Sequence, residues 1–379
     1  MTPASLVAGQ IAALDRSLAQ ADKLLERCGQ QQLTSDLLDR VRGLFRNRLL
    51  PLRSQCATLL QTTQTGNAAA IDLARLEHLQ AECSDLIREC LAFLEGAYTR
   101  AAGIDGDSCK FADAMLLSLS KENNLGWSRF TLVGPAEFFS TSSGIVRLRF
   151  TDTGIWNLPV AVHEFGHFVS TIDAFREPFK ASAAAAGSKD PKYKSHLGEL
   201  FADLFATYVL GPAYLLNCAL LRFPLSNASL ESSTHPSANQ RVWWMLETLT
   251  KMDDPGWPLY SNLVNQVRAL WSAGVASANQ PALSDAEISR LRPWFFDLYD
   301  LINSGVPNAK YAKWLRAQGL SQAFRQNQDP GLLPDDTIPE VLNALWLYRA
   351  QTAAFNAFEM EQVERQALQL CAAIVDRKP

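Results

Sequence analysis

One stretch of this chain has residue types and spacing that could do chemistry: NLPVAVHEFGHFVS, positions 157 to 170. It sets two of the chain's five histidines four apart, with a glutamate directly after the first. On an α-helix, at ~100° per residue, His163 and His167 share one face, one turn apart. Two imidazoles so arranged can bind one zinc ion, and Glu164, rotated by about a quarter turn, can reach a water in the metal's open position. With five histidines and seventeen glutamates in 379 residues, random placement would produce this HExxH pattern on the order of three times in a thousand.

The pattern needs a helix to carry it. Asn157 is a candidate N-cap and Pro159 suits an early helical position, where a missing N–H costs little. Val160, Ala161, Phe165, Gly166, Phe168 and Val169 are uncharged, which predicts a buried helix with only the His163/His167 face open. The plain alternative, a core helix with hydrogen-bonded histidines, leaves Glu164 as a buried carboxylate without a partner, and that is costly.

A catalytic zinc site needs a third protein ligand, and four residues are candidates. HLGELFADLFATY places Glu199 and Asp203 on one helical face. Glu199 is the favoured ligand, leaving Asp203 to take the far N–H of a ligand histidine and fix its tautomer. Asp173 stands where metzincins carry their last ligand, but Ser170 replaces their turn glycine, and Met245 lies in the helix-like RVWWMLE rather than in a Met-turn. His196 and His235 complete the set.

With HEFGH at 163–167 and ExxxD at 199–203 the chain resembles the gluzincin branch of the zincin zinc metallopeptidases. STHPSANQRVWW is similar to the HP…R element that follows the ExxxD helix in CAAX-type and heat-shock-type zinc peptidases. The resemblance implies that His235 contacts the reacting carbonyl and that Arg241 supports the site, pairing with Asp203 or a neighbouring carboxylate. The chain departs from those families in lacking their transmembrane helices, and from many zinc aminopeptidases in lacking GxMEN.

The elements that must position these residues are mostly helical. From Ser5 to about Gly103, apolar residues recur at three- and four-residue spacing (Leu76, Leu79, Cys83, Leu86, Cys90, Leu94, Tyr98). Breaks at CGQQQLTSD, Pro51 and TQTGNAAA divide them into antiparallel helices, giving an N-terminal helical bundle over 1–106. A short helix, Cys109 to Leu119, then leads into RFTLVGPAEFFSTSSGIVRLRFTDTG, the one clear β signal, within a predicted zincin-like domain at 107–255. SGIVRLRFT is the natural edge strand for a bound peptide.

EPFKASAAAAGSKDPKYKSH reads as a mobile loop near the cleft. The apolar run from Leu204 to Leu221 is interrupted by Gly211 and Pro212 and reads as buried helix rather than membrane span. A C-terminal helical domain over 256–379, carrying Trp257, Trp271, Trp294, Trp314 and Trp346, ends in a helix-like run from Ile338 to about Val375. The expected fold class is mainly α, with a small α+β zincin-like core in which a short sheet lies beside the HExxH helix.

Thirty-five basic against thirty-nine acidic residues give a net charge of −4, without a general pull toward nucleic acid or anionic membrane. The local exception, Arg40, Arg42, Arg46, Arg48 and Arg53, is explained by a solvated helix face. Seven cysteines without a CxxC pair predict reduced, buried thiols. The N-terminus carries no secretory signal, and a cytoplasmic location is expected.

Together these features predict a zinc-dependent peptidase, with Glu164 as general base, His163, His167 and Glu199 as ligands and a peptide or protein as substrate. Two alternatives stand beside it: a helical scaffold retaining the fold without turnover, and a regulatory peptidase that cleaves one partner protein.

Overall fold

The computed structural model describes residues 3–28, 35–64, 73–127, 130–140, 144–149, 154–253, 256, 258–352 and 357–377. Trp257 and the centres of the CGQQQLTSD and TQTGNAAA breaks lie outside the described residues. Backbone contacts divide the chain into two compact units. One comprises 1–107, 132–136 and 140–145; the other comprises 108–131, 137–139 and 146–379.

The first unit is built on three helices, α1 (Pro3–Cys28), α2 (Ser35–Gln64, with Pro51 inside it) and α3 (Leu73–Ala101), each packed on the other two. The buried face of α3 runs Leu76, Leu79, Cys83, Leu86, Cys90, Phe93 and Ala97. The alternation of three and four therefore continues to the end of the helix. Phe93 and Ala97 take the places expected of Leu94 and Tyr98, and Tyr98 is exposed. Arg46, Arg48 and Arg53 are neutralised within this unit by Asp22 and Glu26, by Glu89, and by Asp15 respectively. The side chains of Arg40 and Arg42 lie outside the described residues.

Three short strands, β1 (Thr131–Gly134), β2 (Phe138–Ser140) and β3 (Ile145–Arg149), form one sheet in the order β1-β3-β2. The protein is thus mainly helical with one small sheet.

The second unit holds the other helices. They are α4 (Ser108–Glu122), α5 (Val160–Val169), α6 (Asp173–Gly187), α7 (Lys192–Leu210), α8 (Pro212–Asn217), α9 (Ala238–Met252), α10 (Ser261–Ser277), α11 (Asp285–Gly305), α12 (Trp314–Arg325), α13 (Ile338–Gln351) and α14 (Ala357–Arg377). The segment expected to be a mobile loop is instead mostly α6. Its alanine run is strongly helix-forming, and Phe175, Ala183 and Ala186 are buried. The expected run from Ile338 to Val375 is two helices, since α13 ends at Thr352 in extended backbone.

The sequence divides 107–255 from 256–379, whereas in the structure both segments belong to one unit. Polar ties explain the union. Tyr311 N–H donates to the carbonyl of Tyr208, Tyr208 donates to Asn303 (3.0 Å), and Asn343 both donates to Leu210 O and accepts from Ala213 N–H. Among the described residues, no helix is long and apolar enough to cross a membrane.

Helix α5 lies directly against α7, and Gly166 permits it: a Cβ built there would stand 2.9 Å from Ala202 Cα. Backbone, not a movable side chain, would have to yield. Gly166→Ala is therefore expected to destabilise this unit by about 1–3 kcal/mol, measured as a lowered urea midpoint; an unchanged midpoint would show that α5 and α7 separate freely.

Candidate metal centre

The helix carrying HEFGH is short and almost wholly buried, as its uncharged flanks predict; His163, Glu164, Phe165 and Gly166 are all inside. Asn157 is not its N-cap. Asn157 closes a 3-10 turn (Ile155–Asn157) and its side-chain oxygen accepts from Asn217 (3.2 Å), while Pro159 occupies the cap without a side-chain bond.

Helix α7 presents Glu199 and Asp203 to this helix. His163, His167 and Glu199 each offer a ligand atom, and these atoms lie within 4.8 Å of one another. Glu199 Oε2 is 3.5 Å from His163 Nε2, and its Oε1 is 3.5 Å from His167 Nε2. Three donors facing one point, two imidazoles and one carboxylate, make a group that could hold a metal ion.

The other candidates are elsewhere. Asp173 heads α6 with its side chain 89% exposed and paired to Arg176. His196 is buried and directs Nε2 to the carbonyl of Ser232 at 2.8 Å. His235 is half-exposed at the rim, with Nε2 3.6 Å from Glu199 Oε2.

Behind His163 lies a polar network with no exposure to solvent at its centre. Asp203 is fully buried. Its Oδ1 is 3.0 Å from His163 Nδ1 and accepts from the Tyr214 hydroxyl (2.6 Å) and from Arg241 (2.7 Å), whose Nε also donates to Oδ2 (2.7 Å). Burial works against the Asp203 charge, but Arg241 and His163 more than offset it and hold the carboxyl well below its ordinary range. An ionised Asp203 facing Nδ1 holds a proton on that nitrogen and leaves Nε2, on the Glu199 side, as the nitrogen that could ligate a metal.

Arg241 reaches Asp203 from the first turn of α9. That helix is capped by Ser237, which forms a capping box with Gln240.

Tyr214 is the member that sequence reasoning missed. Tyr208, on the ExxxD helix itself, is not in the site, since its hydroxyl donates to Asn303. Tyr214 arrives because α7 stops at Gly211, whose φ of +61° and ψ of −142° suit glycine alone, and because a Cβ there would strike the Tyr311 ring at 2.4 Å. Pro212 then starts α8 and folds Tyr214 back over Asp203 and His163, its ring stacked on the latter at 5.8 Å. The available signal was the Gly-Pro break itself, which reverses an apolar run with one phenol, Tyr208, before it and one, Tyr214, after it.

The protonation states follow from these neighbours. Burial lowers His163, yet the Asp203 and Glu199 carboxylates prevail and raise it to about 9. Burial and the charge on His163 lower His167 to about 4, so it is a neutral imidazole at pH 7. Glu199, despite burial, is drawn down to about 2 by His163 and Arg241 and is ionised.

Glu164 behaves differently: burial raises it to about 7, and among the described residues no side chain hydrogen-bonds its carboxylate. Nearby, Glu137 accepts from Arg222 (2.8 Å) and faces Arg149 (3.6 Å).

No family model, no curated protein and no solved structure matches this chain.

Proposed function

We propose that the protein is a zinc-dependent peptidase of the gluzincin type, in which Glu164 acts as general base. The observation that carries this reading is the convergence of two imidazoles and one carboxylate beside a buried glutamate whose carboxylate, among the described residues, accepts no side-chain hydrogen bond. The donor set suits zinc, which accepts histidine nitrogen and carboxylate oxygen in tetrahedral sites. Three protein donors rather than four also fit a catalytic site better than a structural one, which disfavours the scaffold alternative.

Zinc bound here would supply a water with its pKa lowered from ~15.7 toward ~7 and would polarise the scissile carbonyl. Glu164, near neutrality because it is buried, is matched to taking a proton from the attacking water at pH 7 and returning it to the leaving amine. His235 stands on the solvent side of Glu199. The Thr234 hydroxyl lies 2.8 Å from its Nδ1; donation there leaves the hydrogen on Nε2, free to donate to the carbonyl oxygen as negative charge develops. Asp203, Tyr214 and Arg241 hold His163 in its ligating tautomer.

Zinc titration of the metal-free protein tests the reading. His163, raised to about 9, carries two protons at pH 7.5 and must give one up to ligate, so uptake of about one zinc should release about one proton and tighten as pH rises toward 9. Calorimetry in buffers of different ionisation heat measures both quantities, and cleavage of unfolded casein that a chelator abolishes would complete the result. A chain that takes up no zinc is not this enzyme. Cleavage of a single partner but not casein would favour the regulatory peptidase.

A further inference from the structure

Building on the peptidase reading, we infer that His196 is a positioning residue for His235, holding the turn that carries it by a hydrogen bond from the ligand helix itself. His196, Glu199 and Asp203 follow at intervals of three and four along α7, so one helical face carries all three. Asp203 orients His163 and Glu199 faces the two histidines. His196, 2% exposed, directs Nε2 to the carbonyl of Ser232 at 2.8 Å. A carbonyl can only accept, so this nitrogen bears the hydrogen and is not a ligand atom.

Ser232 opens the turn that ends in His235. Ser232 N–H donates to the His235 carbonyl (3.0 Å), and His235 N–H donates to Ser232 Oγ (2.8 Å). Residues 232–235 are all exposed, so apolar burial does not hold this turn in place. Its backbone is tied instead to α7 through His196, one helical turn before Glu199, and the preceding residue, Glu231, is tied to Lys192 of the same helix at 2.9 Å. The imidazole that would meet the carbonyl oxygen is thus located by reference to the helix that supplies Glu199. Catalytic donors demand such placement, since an error of about 1 Å costs on the order of 10²-fold in rate.

The test uses zinc-loaded protein labelled with ¹⁵N in its five histidines, His235→Ala and His196→Phe identifying the two ring signals by their loss. In the wild type, His196 should read as a ring that carries a hydrogen on Nε2. His196→Phe should keep its zinc, displace the His235 ring signals, and lower kcat but not KM on unfolded casein by the same factor as His235→Ala, ~10²-fold. The double variant should fall no further, and His196→Gln, whose amide can donate to the same carbonyl, should restore most of the rate.

A wild-type His196 protonated at Nδ1 alone or shifted by zinc, or losses that multiply in the double variant, would overturn the inference. So would unchanged His235 signals in His196→Phe. If His196→Phe does not fold, the wild-type tautomer and the His196→Gln rate still decide. Failure of the underlying reading looks different: no zinc bound, or His235→Ala as active as wild type.

Discussion

Glu164→Gln is expected to keep about one zinc per chain while losing ~10²–10⁴-fold in kcat on unfolded casein, because the substitution removes a proton carrier and no ligand. Glu199→Ala should do the reverse of the first half. It takes away one of three donors, and the imidazoles of His163 and His167, 4.9 Å apart between ring centres, are left to hold the ion alone. Asp173→Ala completes the set, with zinc and rate both unchanged, since Asp173 faces solvent at the head of α6. Elemental analysis and a single kinetic series distinguish all three. A zinc-free Glu164→Gln, or a Glu199→Ala that stays fully loaded, would move the metal away from the residues assigned to it.

The parts of the site readable from the sequence are those in which a single helix does the positioning. His163 and His167 need only 3.6 residues per turn to share a face, and Glu199 and Asp203 need the same. That α5 and α7 would face each other was suggested by the chemistry, and Gly166 against Ala202 shows the packing that allows it. Tyr214 was not readable, because its place depends on a chain reversal at Gly211 and Pro212 rather than on periodicity. His196 was visible only as a rival ligand; its partner is a backbone carbonyl 36 positions away, which no side-chain pattern announces.

The same division holds for the fold. The helical character of both ends of the chain is written in apolar spacing, whereas the association of 256–379 with the helices that carry the candidate metal ligands rests on contacts such as Tyr208 with Asn303 and Asn343 with Leu210. Alanine-rich α6 shows a related limit. Its low content of large apolar groups suggested a loop, yet backbone propensity and three buried side chains suffice for a helix.

Arg241→Ala is expected to have the largest effect on stability. Asp203 has no exposure to solvent, and Arg241 supplies two of the bonds that compensate its charge. Removing one member of such a buried pair leaves the other uncompensated and costs about 3–5 kcal/mol. The eight tryptophans among the described residues all fall in the unit that contains the site, so urea unfolding of the metal-free protein followed by tryptophan fluorescence reports the loss where it occurs. Asp203→Ala with Arg241→Ala should be less destabilising than the sum of the two single changes, because neither charge is then left alone. Zinc affinity separates the roles further: Asp203→Ala takes the charged oxygen from beside His163 Nδ1 and leaves the Tyr214 hydroxyl there, at 2.9 Å, without the carboxylate it donates to, which should weaken binding by ~10–100-fold. Additive stability losses together with unchanged zinc affinity would mean that this network packs the core and does not orient His163.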